Sequence, residues 1–149
     1  MRTLIKASLI AAMFALPAAA WAQNDSPVGL WKTIDDATGK PKALVRITEN
    51  NGVLEGKIEK LFREPNEIQA PVCEKCEGEL KDKPVLGMTI LNGLHVDGDS
   101  YSGGTVLDPH NGKTYKAKLT VKDNGQKLDM RGYIGAPMFG RTQTWVREQ

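Results

Sequence analysis

The side chains most able to do chemistry are Cys73 and Cys76, in the run Cys73-Glu74-Lys75-Cys76. A C-x-x-C pair supports a structural disulfide, a thioredoxin-like redox couple or half of a zinc site. A redox couple needs a helix start within a βαβ setting to lower the thiol pKa, and neither is visible around these residues. A closed zinc site needs four ligands. No second C-x-x-C is present, and His95 and His110 fall in predicted turns far along the chain. The expectation is a disulfide between Cys73 and Cys76. The loop it closes is short, so its removal is expected to change stability little.

Ser100, His95 and Asp97 make a nucleophilic triad on paper, but around Gly98 they read more simply as turn-forming residues. Asp97-Gly98-Asp99 lacks the further acceptors and distal Glu of a calcium loop. Asp35-Asp36 ahead of Gly39 is another turn. There is no G-x-S-x-G, H-E-x-x-H or Walker loop. No catalytic residue, metal ligand or cofactor is assigned, and the reading points away from an enzyme. An envelope hydrolase using Asp97, Asp99, Asp108 or His110 is the alternative.

A different chemistry is offered by Gly132 to Gly140, where Tyr133, Ile134, Met138 and Phe139 stand together between glycines. Glycine gives the backbone freedom, and Met and Phe offer adaptable apolar surface. Such a loop either plugs a barrel end or acts as a lid or docking surface over a ligand entrance. Tyr133, Ile134, Met138 and Phe139 are the candidate ligand-binding residues.

The elements that must hold these groups are strands. Ala43, Val45 and Ile47 alternate with Leu44, Arg46 and Thr48, and Asn50-Asn51-Gly52 then reverses the chain into Val53–Leu61. Tyr115, Ala117, Leu119 and Val121 alternate with Lys116, Lys118 and Thr120, ahead of the turn Asp123-Asn124-Gly125. Further strands are predicted over Leu30–Thr33, Val85–Leu91, Tyr101–Leu107, Leu128–Tyr133 and Arg141–Arg147. No long amphipathic helix is predicted. About eight strands in a meander hide their edges by closing into a small antiparallel up-and-down barrel. A β-sandwich is the alternative. Phe62 to Pro84, with Pro65, Pro71 and Gly78, is a long irregular connection that holds both cysteines.

The N-terminus reads as a signal peptide over residues 1–22. Arg2 and Lys6 precede the apolar run Ala7–Ala19, and Ala20-Trp21-Ala22 is a small-x-small cleavage site, which predicts Gln23 as the first mature residue. The apolar run is too short for a membrane anchor, which needs about 20 residues. The expected destination is the bacterial periplasm, or full secretion. Cleavage would leave residues 23–149 as one β-barrel domain. Of 20 Lys and Arg residues, Arg2 and Lys6 lie in the leader, which leaves 18 against 18 acidic residues. A neutral mature domain gives no electrostatic reason to expect nucleic acid or an anionic membrane as partner.

Several motifs recur together. They are Gly29-Leu30-Trp31-Lys32, Gly39-Lys40-Pro41, Cys73-x-x-Cys76-x-Gly78, Gly103-Gly104-Thr105, Asp108-Pro109 with Asn111-Gly112-Lys113, Arg131-Gly132-Tyr133-Ile134-Gly135 and Gly140-Arg141-Thr142-Gln143-Thr144-Trp145. In this order, across Val28 to Arg147, they resemble the exported bacterial family called domain of unknown function 2147. The resemblance implies an exported β-domain and carries no activity with it. Gly29-x-Trp31 also looks like the opening of lipocalin-type barrels. There, a Trp packs at the barrel end beneath an Arg of the last strand, a role open here to Arg147 or Arg141. The function read from all this is a binding module for a small apolar or amphipathic ligand. The alternative is an envelope protein-interaction domain without such a ligand.

Overall fold

The computed structural model describes residues 25–149. The expected signal peptide and its cleavage point lie outside the described residues. Strands β1 (Gly29–Ile34), β2 (Pro41–Asn50), β3 (Val53–Leu61), β4 (Thr89–Asp97), β5 (Ser100–Asp108), β6 (Lys113–Lys122), β7 (Lys127–Tyr133) and β8 (Gly140–Arg147) form an antiparallel barrel in sequence order. Closure is made by β1 against β8, where Trp31 pairs with Arg147 and Lys32 with Val146. A sandwich is thereby excluded.

Alternation along each strand decides which side chains enter the barrel. Ala43, Val45 and Ile47 of β2 are buried, as are Leu54 and Ile58 of β3 and Ala117 and Leu119 of β6. Short hairpins join β2 to β3, β4 to β5 and β6 to β7 at one end. The reversal after β6 places Asp123, Asn124 and Gly125 at positive φ, which is why it is made of Asp, Asn and Gly.

The predicted strand over Val85–Leu91 is corrected, since β4 begins at Thr89. Val85 and Met88 are buried, but as part of the preceding connection. The Val85 N–H donates to the Pro71 carbonyl and the Met88 N–H to the Val85 carbonyl, so the chain turns rather than extends. Burial of a loop against the barrel wall produced the same apolar run that a buried strand would. His95 also lies in β4, opposite Ser102, and not in a turn.

The end served by the short hairpins is packed shut. Trp31 is fully buried and its indole N–H donates to the Pro27 carbonyl at 2.7 Å. The Arg147 guanidinium lies 4.2 Å from the Trp31 ring centroid. It also donates to the carbonyls of Val28 (3.0 Å), Ser26 (2.6 Å) and Gly125. Of the two arginines open to this role, Arg147 takes it. Leu54, Leu94, Leu119 and Leu128 fill the barrel above this closure, each 1% exposed or less.

Candidate functional site

At the opposite end the barrel is open. Its interior and the mouth between the connections form one cavity of ≈ 1020 Å³, at the upper end of the size of small-molecule sites. Val45, Ile58, Ile90, Val106, Met130 and Trp145 line its body. These are inward positions on β2, β3, β4, β5, β7 and β8, so the apolar wall is a direct product of strand alternation. Trp145 is 1% exposed, and its indole N–H donates to Gln143 Oε1 at 3.3 Å. Gly132 supplies no side chain. A Cβ there would stand 3.4 Å from Val106 and 3.7 Å from Tyr115, so the glycine keeps that part of the interior empty.

The mouth is built from the four connections at this end. Residues 35–40 join β1 to β2, 62–88 join β3 to β4, 109–112 join β5 to β6, and 134–139 join β7 to β8. Paired ions link neighbouring connections. Lys40 meets Glu64 at 3.0 Å, and Arg141 meets Asp36. The bond to Asp36 raises the Arg141 pKa. Asp35 accepts the N–H groups of Thr38 (3.0 Å) and Ala37 (2.8 Å), which lowers its pKa and shapes the β1–β2 turn. Exposed pairs of this kind contribute little to stability, so they orient the rim more than they stabilise the fold.

The long β3–β4 connection is tied down by the Cys73–Cys76 disulfide expected from the sequence. Both cysteines are buried in the core, Cys73 at 0% and Cys76 at 3% exposure. Cys73 Sγ lies 3.4 Å from the Pro109 carbonyl oxygen. Gly112 passes directly beneath Lys75, where any Cβ would overlap the Lys75 carbonyl. The bridge thus clamps the connection onto the β5–β6 turn, with Glu74 and Lys75 facing the cavity mouth. Because the bridge is buried, its replacement would disturb the core as well as open a small loop, so a cost above that of loop closure alone is expected.

Of the residues proposed from sequence, Tyr133, Ile134 and Phe139 line the mouth. Met138 is on the same loop, 76% exposed, and is not part of the lining. Ile134 and Phe139 are 68% and 70% exposed, so the loop stands at the rim and does not plug the barrel. Arg131 holds it there by donating to the Pro137 carbonyl (2.5 Å) and to Thr142 Oγ1 (2.8 Å). The paper triad shares the β4–β5 hairpin, where Asp97 pairs with Ser100, but its side chains are not bonded to one another. Ser100 shares a hydrogen bond with Thr120 at 3.0 Å, Ser102 donates to Asp97 at 2.8 Å, and His95 is exposed. Among the described residues, no group of three or more His, Cys, Asp or Glu is placed to hold a metal. No helix among them is long and apolar enough to cross a membrane. Gln143 and Trp145 were not singled out from sequence. The signal was present in the inward register of β8, where Arg141, Gln143, Trp145 and Arg147 succeed one another from mouth to closed end.

An eight-stranded antiparallel barrel closed at one end by a Trp–Arg stack, with a cavity open at the other, is a lipocalin-like domain. Protein HP1028 from Helicobacter pylori, described as belonging to the lipocalin family, is similar to this chain in fold. The match has a TM-score of 0.70 and 23% identity, and covers 83% of this chain and 84% of that one. Residues 29–147 match the family described as "Uncharacterized protein conserved in bacteria", domain of unknown function 2147, and the chain belongs to it. No curated protein matches it.

Proposed function

We propose that this domain is a binding module of the bacterial envelope that holds a small apolar or amphipathic molecule in its barrel. The observation that carries the reading is the open cavity of ≈ 1020 Å³ above a filled barrel base. A barrel serving only as a scaffold has no need to leave its apolar wall unfilled, since empty space beside Val106 or Met130 forfeits packing contacts. Export follows from the leader at residues 1–22, and the proposed location is the periplasm. Native mass spectrometry of protein isolated from the envelope of its own host tests both parts. The expected spectrum shows a chain beginning at Gln23 with a non-covalent small molecule that is lost on activation. A mass that includes Met1 would overturn export with cleavage, and a purely ligand-free population would count against the binding role.

Met138 and Phe139 serve as the outer lip of the entrance in this reading. Replacing both with Ser should weaken ligand retention several-fold and change stability by no more than about 0.5 kcal/mol, as for other exposed positions. A large fall in melting temperature would make them structural instead. A docking surface for another envelope protein is the second reading, and the exposure of Ile134, Met138 and Phe139 on one loop favours it.

A further inference from the structure

The charges around the cavity are arranged by depth. Every Asp, Glu, Lys, Arg and His of its lining lies on a connection or within two residues of a strand end. Below that ring, Thr33, Ala43, Val45, Ile58, Ile90, Val106, Met130, Gln143 and Trp145 are all uncharged.

Within this neutral interior the polar atoms are not equivalent. Thr33 is satisfied, since its hydroxyl accepts from the Ala43 N–H at 3.1 Å and donates to the Ala43 carbonyl at 3.5 Å. Gln143 is half satisfied. Its Oε1 accepts the Trp145 indole N–H at 3.3 Å, which leaves Nε2 with two hydrogens and no protein acceptor. That nitrogen is not among buried atoms lacking a partner, so it is accessible, and Gln143 is a residue of the cavity lining. Tyr115 repeats the pattern nearer the mouth. Its hydroxyl oxygen accepts from Asn111 Nδ2 at 2.9 Å, and its own proton has no protein acceptor. Both side chains have their acceptor function occupied by the protein and their donor function turned over to the site.

From this we infer that the ligand carries an uncharged hydrogen-bond acceptor, an ester, ketone or amide carbonyl, received by Gln143 Nε2 and supported by the Tyr115 hydroxyl. The inference rests on the binding role proposed above and adds the chemical class of the occupant. A purely hydrocarbon ligand would leave these donors dry and unpaired, which costs free energy. A carboxylate would reach them only by leaving water and passing Arg141, whose charge is already paired with Asp36, a larger cost. An ammonium group would meet donors with another donor.

The test is a titration of the full mature protein, followed by Trp fluorescence, with four probes of one chain length: methyl dodecanoate, dodecanoate, dodecylammonium and dodecane. The ester should bind best. Gln143→Leu should reduce the ester-to-hydrocarbon affinity ratio about tenfold, the size of one net hydrogen bond. Gln143→Glu replaces the donor by a charged acceptor and should reduce ester binding at least as far. Tyr115→Phe should lower the same ratio by a smaller factor. Because each variant is read as a ratio of two probes, hydrocarbon binding reports that the barrel is folded. Should Gln143→Leu not bind hydrocarbon, Gln143→Glu and Tyr115→Phe decide the matter. Preference for dodecanoate, or a ratio indifferent to residue 143, would overturn the carbonyl assignment while leaving the binding role intact. Failure of all four probes to bind the unmodified protein would overturn both.

Discussion

Replacing Trp31 with Ala should destabilise the domain by about 3–5 kcal/mol, the range for a large aromatic removed from a core. Trp31 is fully buried and joins several interactions at once. Its indole N–H satisfies the Pro27 carbonyl, and its ring supports the Arg147 guanidinium. Loss of the ring would leave that guanidinium above a void. The stacking alone is worth about 0.5–2 kcal/mol, so most of the loss should come from packing, with Phe recovering part of it. Denaturant unfolding of Trp31→Ala and Trp31→Phe separates these contributions. A loss below about 1 kcal/mol for the Ala variant would show that Trp31 does not close the barrel end. In a Trp145→Phe variant, the remaining indole of the mature chain should emit as a buried tryptophan.

The second large effect is expected at the disulfide. Closing a loop this short accounts for about 2 kcal/mol by chain entropy. Cys73 and Cys76 are also buried, at 0% and 3% exposure, so a Cys73→Ser, Cys76→Ser protein must bury two hydroxyls, of which the one at position 73 has the Pro109 carbonyl within reach and the one at position 76 has no partner arranged. Each unsatisfied hydroxyl adds about 1–3 kcal/mol, and the pair of serines should cost about 4 kcal/mol in total. A Cys73→Ala, Cys76→Ala protein avoids the hydroxyls and should fall nearer about 2 kcal/mol. Equal losses in the two proteins would mean that burial contributes nothing and that loop closure is the whole effect. Both should also release the β3–β4 connection from the Pro109–Gly112 turn and shorten the residence time of a bound molecule.

Seven of the eight strands were readable because this barrel obeys a local rule. Where one face of a strand is buried and the other wet, side chains alternate, and Ala43-Leu44-Val45-Arg46-Ile47 or Tyr115-Lys116-Ala117-Lys118-Leu119 shows the rule directly. Asn50-Asn51-Gly52 and Asp123-Asn124-Gly125 mark reversals because few other residues tolerate positive φ. The rule failed at Val85–Met88, where a loop pressed against the wall is as apolar as a strand and only its hydrogen bonds tell the two apart. His95 was placed in a turn because the polar cluster beside Gly98 hides where the β4–β5 ladder ends.

By itself, then, the sequence determined most of the strands, their inward faces and the Cys73–Cys76 pairing. Each of these follows from local periodicity, short spacing or the order of a meander. Only the tertiary structure decided that the barrel is filled at one end and empty at the other. Val45 and Ile47 are both inward residues of the same strand, yet Ile47 packs in the closed half and Val45 lines the cavity. Periodicity says which side of a strand faces in. Filling depends on side chains from strands far apart in sequence, on the absent side chain at Gly132 and on where the clamped connection sits. Gln143 shows the same limit, since a polar residue at an inward position becomes a recognition group only when space is left in front of it.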